Sequence, residues 1–205
     1  MKLFNWFKKN EKEYPEFWKS YLACFDSKLN QNNEERTVAF DTETTGLNFR
    51  ADVILSIGAV GISGNAIIVN DCLNLFLIQN LFKKETVSIH GILKTGKEEK
   101  LPEFEAIVRF LEFIKDAVLV GHHVSFDIQM INEALKRMGL PKLKNKSFDT
   151  DLMYQKFKRL PEEHHFSLDE LCKIFKIEKS DRHTAIGDAY ITALIYLQLK
   201  NKWSR

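Results

Sequence analysis

Few cysteines and no long apolar run limit the classes to which this chain can belong. Its 205 residues include three cysteines, Cys24, Cys72 and Cys172, which lie far apart and are odd in number. This spacing argues against a disulfide framework or a paired-cysteine metal or redox site, and we expect reduced thiols in a cytoplasmic protein. No stretch approaches the roughly 18 apolar residues of a membrane span. Polar residues also interrupt residues 1–9 before a signal-peptide core can form.

The chain also lacks a marked excess of charge of either sign. Thirty Lys and Arg residues against 28 Asp and Glu residues leave a formal net charge of +2. This balance excludes a protein that coats nucleic acid by bulk charge, so any nucleic-acid contact must be local. Apolar residues make up 44% of the chain, which is ordinary globular usage and sufficient for a real core. The length suggests one domain with an appendage.

The first 34 residues differ from the rest of the chain. Apolar side chains between Leu3 and Phe25 recur mostly at steps of three, four and seven, which is the stripe of an amphipathic helix. A polar run over residues 30–36 has no periodicity and is typical of a linker. We therefore predict a helical arm and linker at residues 1–34, docked on the chain's own core, and a main domain at residues 35–205.

The order of strand and helix patterns predicts the fold class of the main domain. The early apolar runs are separated by turn signals and indicate an antiparallel meander; they cover residues 38–40, 53–62, 66–69 and 73–78. Later segments alternate, with helices expected near 104–114, 128–138, 167–175 and 184–199 and short strands near 117–120 and 148. Three antiparallel strands followed by this alternation predict an α/β fold with a mixed sheet flanked by helices.

Four carboxylates stand at strand ends or helix starts in this pattern. Asp41 and Glu43 follow a buried strand and lie two residues apart, so they share one face. Asp127 and Asp188 lie at or near the starts of later helices. Such acids repel one another unless a cation compensates their charge. Because the ligands are hard oxygens without cysteine, the set favours Mg²⁺ or Mn²⁺ over zinc.

A histidine completes this set. His183 lies five residues before Asp188, and five helical residues turn through roughly 500°, so His183 must lie in the preceding loop if both are to face one site. Two divalent ions about 4 Å apart clamp the attacking and leaving oxygens of a phosphodiester. A histidine that reaches over them can deprotonate the nucleophilic water. The pattern therefore indicates metal-assisted phosphodiester hydrolysis.

Three ordered stretches resemble the exonuclease motifs of the DEDDh superfamily. They are DTETTGL at residues 41–47, GHHVSFD at residues 121–127 and HTAIGD at residues 183–188. The resemblance covers about residues 36–200 and is greatest to the branch of proofreading subunits of bacterial replicative DNA polymerases. It implies a ribonuclease H-like fold and 3′-to-5′ exonuclease activity.

The same resemblance implies a role for each matching residue. Two divalent ions, Mg²⁺ or Mn²⁺, would be ligated by the four acids, and the general base would be His183. The pocket for the 3′-terminal nucleotide would be lined by Thr44 and Leu47, with His90 and Phe126 nearby. At residue 123 the chain has His where the family usually has Asn. This departure is expected to alter a hydrogen bond near the site but no metal ligand.

The predicted substrate is the 3′ end of single-stranded DNA, cut to nucleoside 5′-monophosphates in proofreading or repair. An exoribonuclease remains an alternative, because the few contacts that sense a 2′-hydroxyl cannot be placed from sequence. A non-catalytic binding module is a second alternative, although it has no need of mutually repelling carboxylates. A DNA polymerase partner and a homodimer both stay open, and no membrane partner is expected. Nearby polar residues have simpler expected roles, Asp149 and Asp151 as helix caps or surface acids and His164 and His165 as solvated loop residues.

Overall fold

The computed structural model describes residues 13–26, 36–81, 91–92, 98–161 and 163–203. The strands are β1 Thr37–Thr44, β2 Ile54–Ser63, β3 Ala66–Leu77, β4 Lys100–Leu101, β5 Val118–Gly121 and β6 Ser147–Asp149. The helices are α1 Glu16–Asp26, α2 Glu103–Ile114, α3 Ser125–Arg137, α4 Thr150–Lys158, α5 Leu168–Phe175 and α6 Ala185–Trp203. Within these ranges, every helix is too short or too polar to cross a membrane.

The strands form one mixed sheet in the order β4-β3-β2-β1-β5-β6. β1, β2 and β3 are antiparallel neighbours, whereas β5 runs parallel to both β1 and β6. The predicted mixed sheet flanked by helices is therefore confirmed. The apolar runs at 66–69 and 73–78 form one strand, β3, which continues through the polar residues between them although its register against β2 shifts there. There Asp71 accepts two hydrogen bonds of 2.8 Å from the Arg36 guanidinium.

Both faces of the sheet are covered, and the alternation of side chains along β1 divides the core in two. Val38 and Phe40 belong to the cluster packed with α2 and α3, whereas Ala39 belongs to the cluster packed with α4, α5 and α6. Successive residues of a strand point to opposite faces, so one short apolar run serves both clusters. The central strand is thereby fixed between two layers, and its carboxyl end is a rigid platform.

The helical arm docks on the first of these clusters. Trp18 is fully buried, and Tyr21 lies beside it in the core. The Tyr21 hydroxyl donates to Asn145 Oδ1 at 2.7 Å and accepts the Lys144 N–H at 2.8 Å. The predicted docking is confirmed for α1. The division of the chain into an arm at 1–34 and a domain at 35–205 stays a prediction.

Candidate active site

The predicted acidic residues come from three elements that meet at one edge of the sheet. Asp41 and Glu43 lie two residues apart near the carboxyl end of β1. β5 runs parallel to β1, so its end lies at the same edge and leads into α3, whose third residue is Asp127. Asp188 lies in the first turn of α6. The topology therefore brings together residues separated by up to 147 positions in the sequence.

Three of the four carboxylates converge closely. Oxygens of Asp41, Glu43 and Asp188 all lie within 4.8 Å of one another. Asp188 Oδ1 is buried and has no hydrogen-bond partner among the described residues. A buried carboxylate oxygen without a donor is costly, and a divalent cation with oxygen ligands would satisfy it. The geometry and the donor chemistry therefore fit a divalent metal ion.

A glycine explains how Asp188 comes so near to β1. Gly58 on β2 pairs with Asp41, and the start of α6 crosses directly over it. A Cβ atom at Gly58 would lie 2.2 Å from the backbone carbonyl carbon of Ala185 and from the backbone nitrogen of Ile186. Only a residue without a side chain permits this approach. No local sequence pattern indicates this role for Gly58.

Replacement of Gly58 by alanine is expected to push the start of α6 away from β1. The strain should cost about 1–3 kcal/mol of stability, as overpacking does. A displacement of Asp188 by about 1 Å can lower the rate about a hundredfold. Urea unfolding and an exonuclease assay would measure both effects. Ser63→Ala, an exposed change on the same strand, is the matched control, and full activity of Gly58→Ala would contradict the packing argument.

Asp127 is fixed by β1 itself. Its Oδ1 accepts the Thr42 N–H at 2.9 Å and the Thr42 hydroxyl at 2.6 Å. Asp127 is nearly fully buried, at 4% exposure. It lies outside the group of three that converge within 4.8 Å but near enough to raise the pKa of both Asp41 and Glu43. Thr42 is therefore a supporting residue that the sequence analysis missed.

Burial raises the pKa of each of the four carboxyls, and repulsion from the neighbouring carboxylates raises it further for Asp41 and Glu43. Burial first, and then the charges of the neighbouring carboxylates, raises the pKa of Asp41 well above its usual range. The same two causes raise the pKa of Glu43 to about 8. Burial raises the pKa of Asp127 to about 7, although the hydrogen bonds from Thr42 oppose it. The site therefore takes up either protons or cations at neutral pH.

The raised pKa of Glu43 predicts how pH affects stability when metal is absent. Between the unfolded pKa near 4.3 and the folded value of about 8, the folded state holds more protons. Stability must therefore fall as pH rises through this window. In EDTA, Glu43→Gln should gain stability relative to the wild type from about pH 4 to pH 8, and saturating Mg²⁺ should reduce this difference. The prediction would be contradicted if the difference in free energy of unfolding between Glu43→Gln and the wild type, measured by chemical unfolding, did not change with pH.

Arg182 is a second residue that the sequence analysis missed. Its guanidinium forms an ion pair with Asp188 Oδ2 and donates to Asp169 Oδ1 at 3.0 Å. Burial raises the pKa of Asp188, whereas the bond and charge of Arg182 lower it. Arg182 thus holds one oxygen of Asp188, whereas the other, Oδ1, is buried without a hydrogen-bond partner among the described residues. A basic residue directly before His183 was the only sequence signal for this role.

The remaining predicted site residues are placed as follows. His183 is exposed, in a left-handed turn (φ 63°) just before α6, which agrees with the loop position predicted for it. Thr44 donates its hydroxyl to the Gly46 carbonyl at 2.8 Å, and Leu47 is 85% exposed. Phe126 is partly buried against the first core cluster, next to Asp127. His90 lies outside the described residues.

Comparison with known proteins agrees with this geometry. A family model described as "Exonuclease" matches residues 38–196. The DNA polymerase III subunit epsilon of Buchnera aphidicola (subsp. Acyrthosiphon pisum) is 34% identical over 175 residues, which cover 80% of this chain and 73% of that protein. The PolC-type DNA polymerase III of Bacillus subtilis is 35% identical over 172 residues, but the chain spans only 11% of its length.

A solved structure supports the fold. Exonuclease I of E. coli in complex with a dT13 oligonucleotide matches with a TM-score of 0.71 and 19% identity, over 84% of this chain and 42% of that one. The predicted ribonuclease H-like fold is confirmed by this match, and the prediction of an exonuclease is confirmed at the level of the family. The chain belongs to the exonuclease family, together with the epsilon subunits of DNA polymerase III.

Proposed function

We propose that the chain is a metal-dependent 3′-to-5′ exonuclease that hydrolyses the terminal phosphodiester bond of DNA and releases nucleoside 5′-monophosphates. The observation that carries this proposal is the convergence of Asp41, Glu43 and Asp188 within 4.8 Å, in a member of the exonuclease family. Buried carboxylates that repel one another are costly to stability. A protein that only binds nucleic acid has no need of such a cluster.

The four acids Asp41, Glu43, Asp127 and Asp188 would hold two divalent ions, which are Mg²⁺ or, as the alternative, Mn²⁺. When bound, such ions polarise a phosphoryl oxygen and lower the pKa of the attacking water. Asp41 and Glu43 contribute from a rigid strand, whereas Asp188 is oriented by Arg182. Asp127 is oriented by its two hydrogen bonds from Thr42. The ligand set is thus pre-organised by the protein.

His183 would act as the general base. It is exposed at the turn that leads into α6, five residues before Asp188. From this position the imidazole would take the proton of the water that attacks the terminal phosphorus atom. A positioned base of this kind contributes about 10²–10⁴-fold to a rate.

The end of β1 would receive the 3′-terminal nucleotide. Leu47 exposes an apolar side chain that can contact a base. Thr44 lies between Glu43 and Leu47 in the sequence. Phe126, beside Asp127, would complete this pocket. His90 would lie near the pocket, as the resemblance implies.

DNA is the favoured substrate because the relatives at 34% and 35% identity are an epsilon subunit of DNA polymerase III and a PolC-type DNA polymerase III. Proofreading beside a DNA polymerase is accordingly the proposed setting, and a cytoplasmic location stays a prediction.

Digestion of matched 5′-labelled single-stranded DNA and RNA oligonucleotides with Mg²⁺, Mn²⁺ or EDTA would test the proposal. We expect a metal-dependent ladder that shortens from the 3′ end, faster on DNA than on RNA, and absent with Asp41→Ala. Faster cleavage of RNA would make the chain an exoribonuclease. Absence of cleavage by well-folded protein with either metal would overturn the proposal in favour of a binding module.

A further inference from the structure

A second group of metal-ligating side chains lies beyond the end of β5. It consists of His123, which follows β5, Asp151 in the first turn of α4, and His165 between α4 and α5. One ligand atom from each lies within 4.8 Å of the others, and the group shares no residue with the acidic cluster. His165 Nδ1 lies 2.7 Å and His123 Nδ1 lies 3.7 Å from Asp151 Oδ2. The proposed reaction does not use this group.

The structure contradicts the simpler role expected for Asp151. Its side chain is fully buried, so it is not a surface acid, and the cap of α4 is Asp149, whose side chain accepts the Asp151 N–H. Asp151 Oδ1 accepts the Phe166 N–H at 2.9 Å, and Oδ2 accepts from Gln155 Nε2 at 2.9 Å. Both oxygens of the Asp151 carboxylate are therefore held in place by hydrogen bonds.

The two histidines are presented to this carboxylate by the backbone. His123 adopts a left-handed conformation (φ 56°), and its N–H and that of Val124 donate to the Asp149 carboxylate at 3.2 and 2.9 Å. His165 precedes Phe166, whose N–H is bound to Asp151. The His123 and His165 side chains are 48% and 59% exposed. Two held imidazoles therefore face one buried carboxylate, with an open side toward solvent.

The chemistry of this set differs from that of the acidic cluster. Two imidazole nitrogens and one carboxylate oxygen suit borderline transition metals, whereas Mg²⁺ prefers oxygen ligands alone. Tetrahedral Zn²⁺ with bonds of about 2.0–2.1 Å separates its ligands by roughly 3.3 Å. The observed separations of 2.7 and 3.7 Å from Asp151 Oδ2 bracket this value. Small shifts of two exposed rings would suffice to form three bonds, and water would supply the fourth ligand.

We propose that His123, Asp151 and His165 form a binding site for a transition-metal dication of the Zn²⁺ class, separate from the proposed catalytic ions. Such an ion would join three segments: the turn after β5, the start of α4 and the loop before α5. The turn after β5 leads directly into α3, which carries Asp127. A bound ion would therefore brace the support of the acidic cluster without being one of its ligands.

The test measures Zn²⁺ binding directly, so it does not depend on activity. The metal-free full chain is titrated with Zn²⁺ by calorimetry in excess Mg²⁺, which occupies the acidic cluster. We expect one equivalent of Zn²⁺ to bind the wild type and to raise its thermal midpoint. His123→Asn, which introduces the residue usual in the family, and His165→Gln should each weaken this binding at least tenfold. His164→Gln, a change at the exposed neighbouring histidine, should leave it unchanged.

Asp41→Asn distinguishes the two sites, because it removes a ligand of the acidic cluster only. This variant should still bind one equivalent of Zn²⁺ in excess Mg²⁺. Absence of Zn²⁺ binding in excess Mg²⁺, or binding unaffected by His123→Asn and His165→Gln, would overturn the proposal. If His165→Gln fails to fold, the result for His123→Asn decides the question. The His123 side chain is half exposed, so its replacement should leave the fold intact. If the protein proved to have no nuclease activity, the conclusion about Zn²⁺ binding would be unchanged.

Discussion

Replacement of Asp41 by asparagine is expected to lower the exonuclease rate about a thousandfold or more while it raises the stability of the metal-free protein. The rate falls because a metal ion contributes several kcal/mol to the transition state, and 1.36 kcal/mol corresponds to a factor of ten. The stability rises because burial and the neighbouring carboxylates disfavour the charged form of Asp41. A rate assay and thermal unfolding in EDTA at pH 8 would measure the two effects.

The opposite directions of these effects make the prediction specific. A variant that merely misfolds loses activity and stability together. Asp26→Asn, a change at an exposed acid on α1, is the control and should alter neither quantity. Retained activity in Asp41→Asn would remove Asp41 from the metal ligands. A fall in metal-free stability would show that the carboxylate is stabilised in a way that the cluster does not explain.

Replacement of His183 by glutamine is expected to lower kcat about 10²–10⁴-fold, the usual contribution of a general base. The imidazole is exposed at a turn, so its loss should leave the unfolding midpoint nearly unchanged. Because His183 is not a proposed metal ligand, Mn²⁺ binding measured by calorimetry should also be retained. This combination distinguishes His183→Gln from the variants of the acidic cluster.

The matched control for this variant is His164→Gln, a change at an exposed histidine in the loop before α5. It should keep the wild-type kcat. Equal effects of the two substitutions, or unchanged kcat in His183→Gln, would remove His183 from the proposed mechanism. Loss of Mn²⁺ binding in His183→Gln would instead assign it a role in holding metal.

The acidic cluster was predictable because its members obey local rules. Asp41 and Glu43 are two residues apart on a strand, and this period of two alone places them on one face. Asp127 and Asp188 follow signals for helix starts, and parallel neighbouring strands end at one edge of the sheet. Local pattern and topology therefore point to the same edge.

The supporting residues were not predictable, because their partners are distant in sequence. Thr42 binds Asp127 across 85 positions, and its hydroxyl is unremarkable in a strand pattern. Gly58 matters only because α6 crosses it, which no local signal reveals.

The role predicted for Asp151 was wrong, because a local pattern suggested a simple role for a residue that the fold buries. Near a helix start an acid is usually a cap or a surface group. Its burial depends on the loop that carries His165 and Phe166, fourteen and fifteen positions away, which returns to cover it. The polar pattern of that loop predicted solvation and gave no sign of this contact.

Isotope labelling of the product tests the central claim most directly. Single-stranded DNA is digested with Mg²⁺ in water enriched in ¹⁸O, and the first mononucleotide released is identified by mass spectrometry. The account predicts a nucleoside 5′-monophosphate from the 3′ terminus with one ¹⁸O in its phosphate, because water attacks the terminal phosphodiester. A nucleoside 3′-monophosphate, an internal cut or an unlabelled phosphate would contradict it.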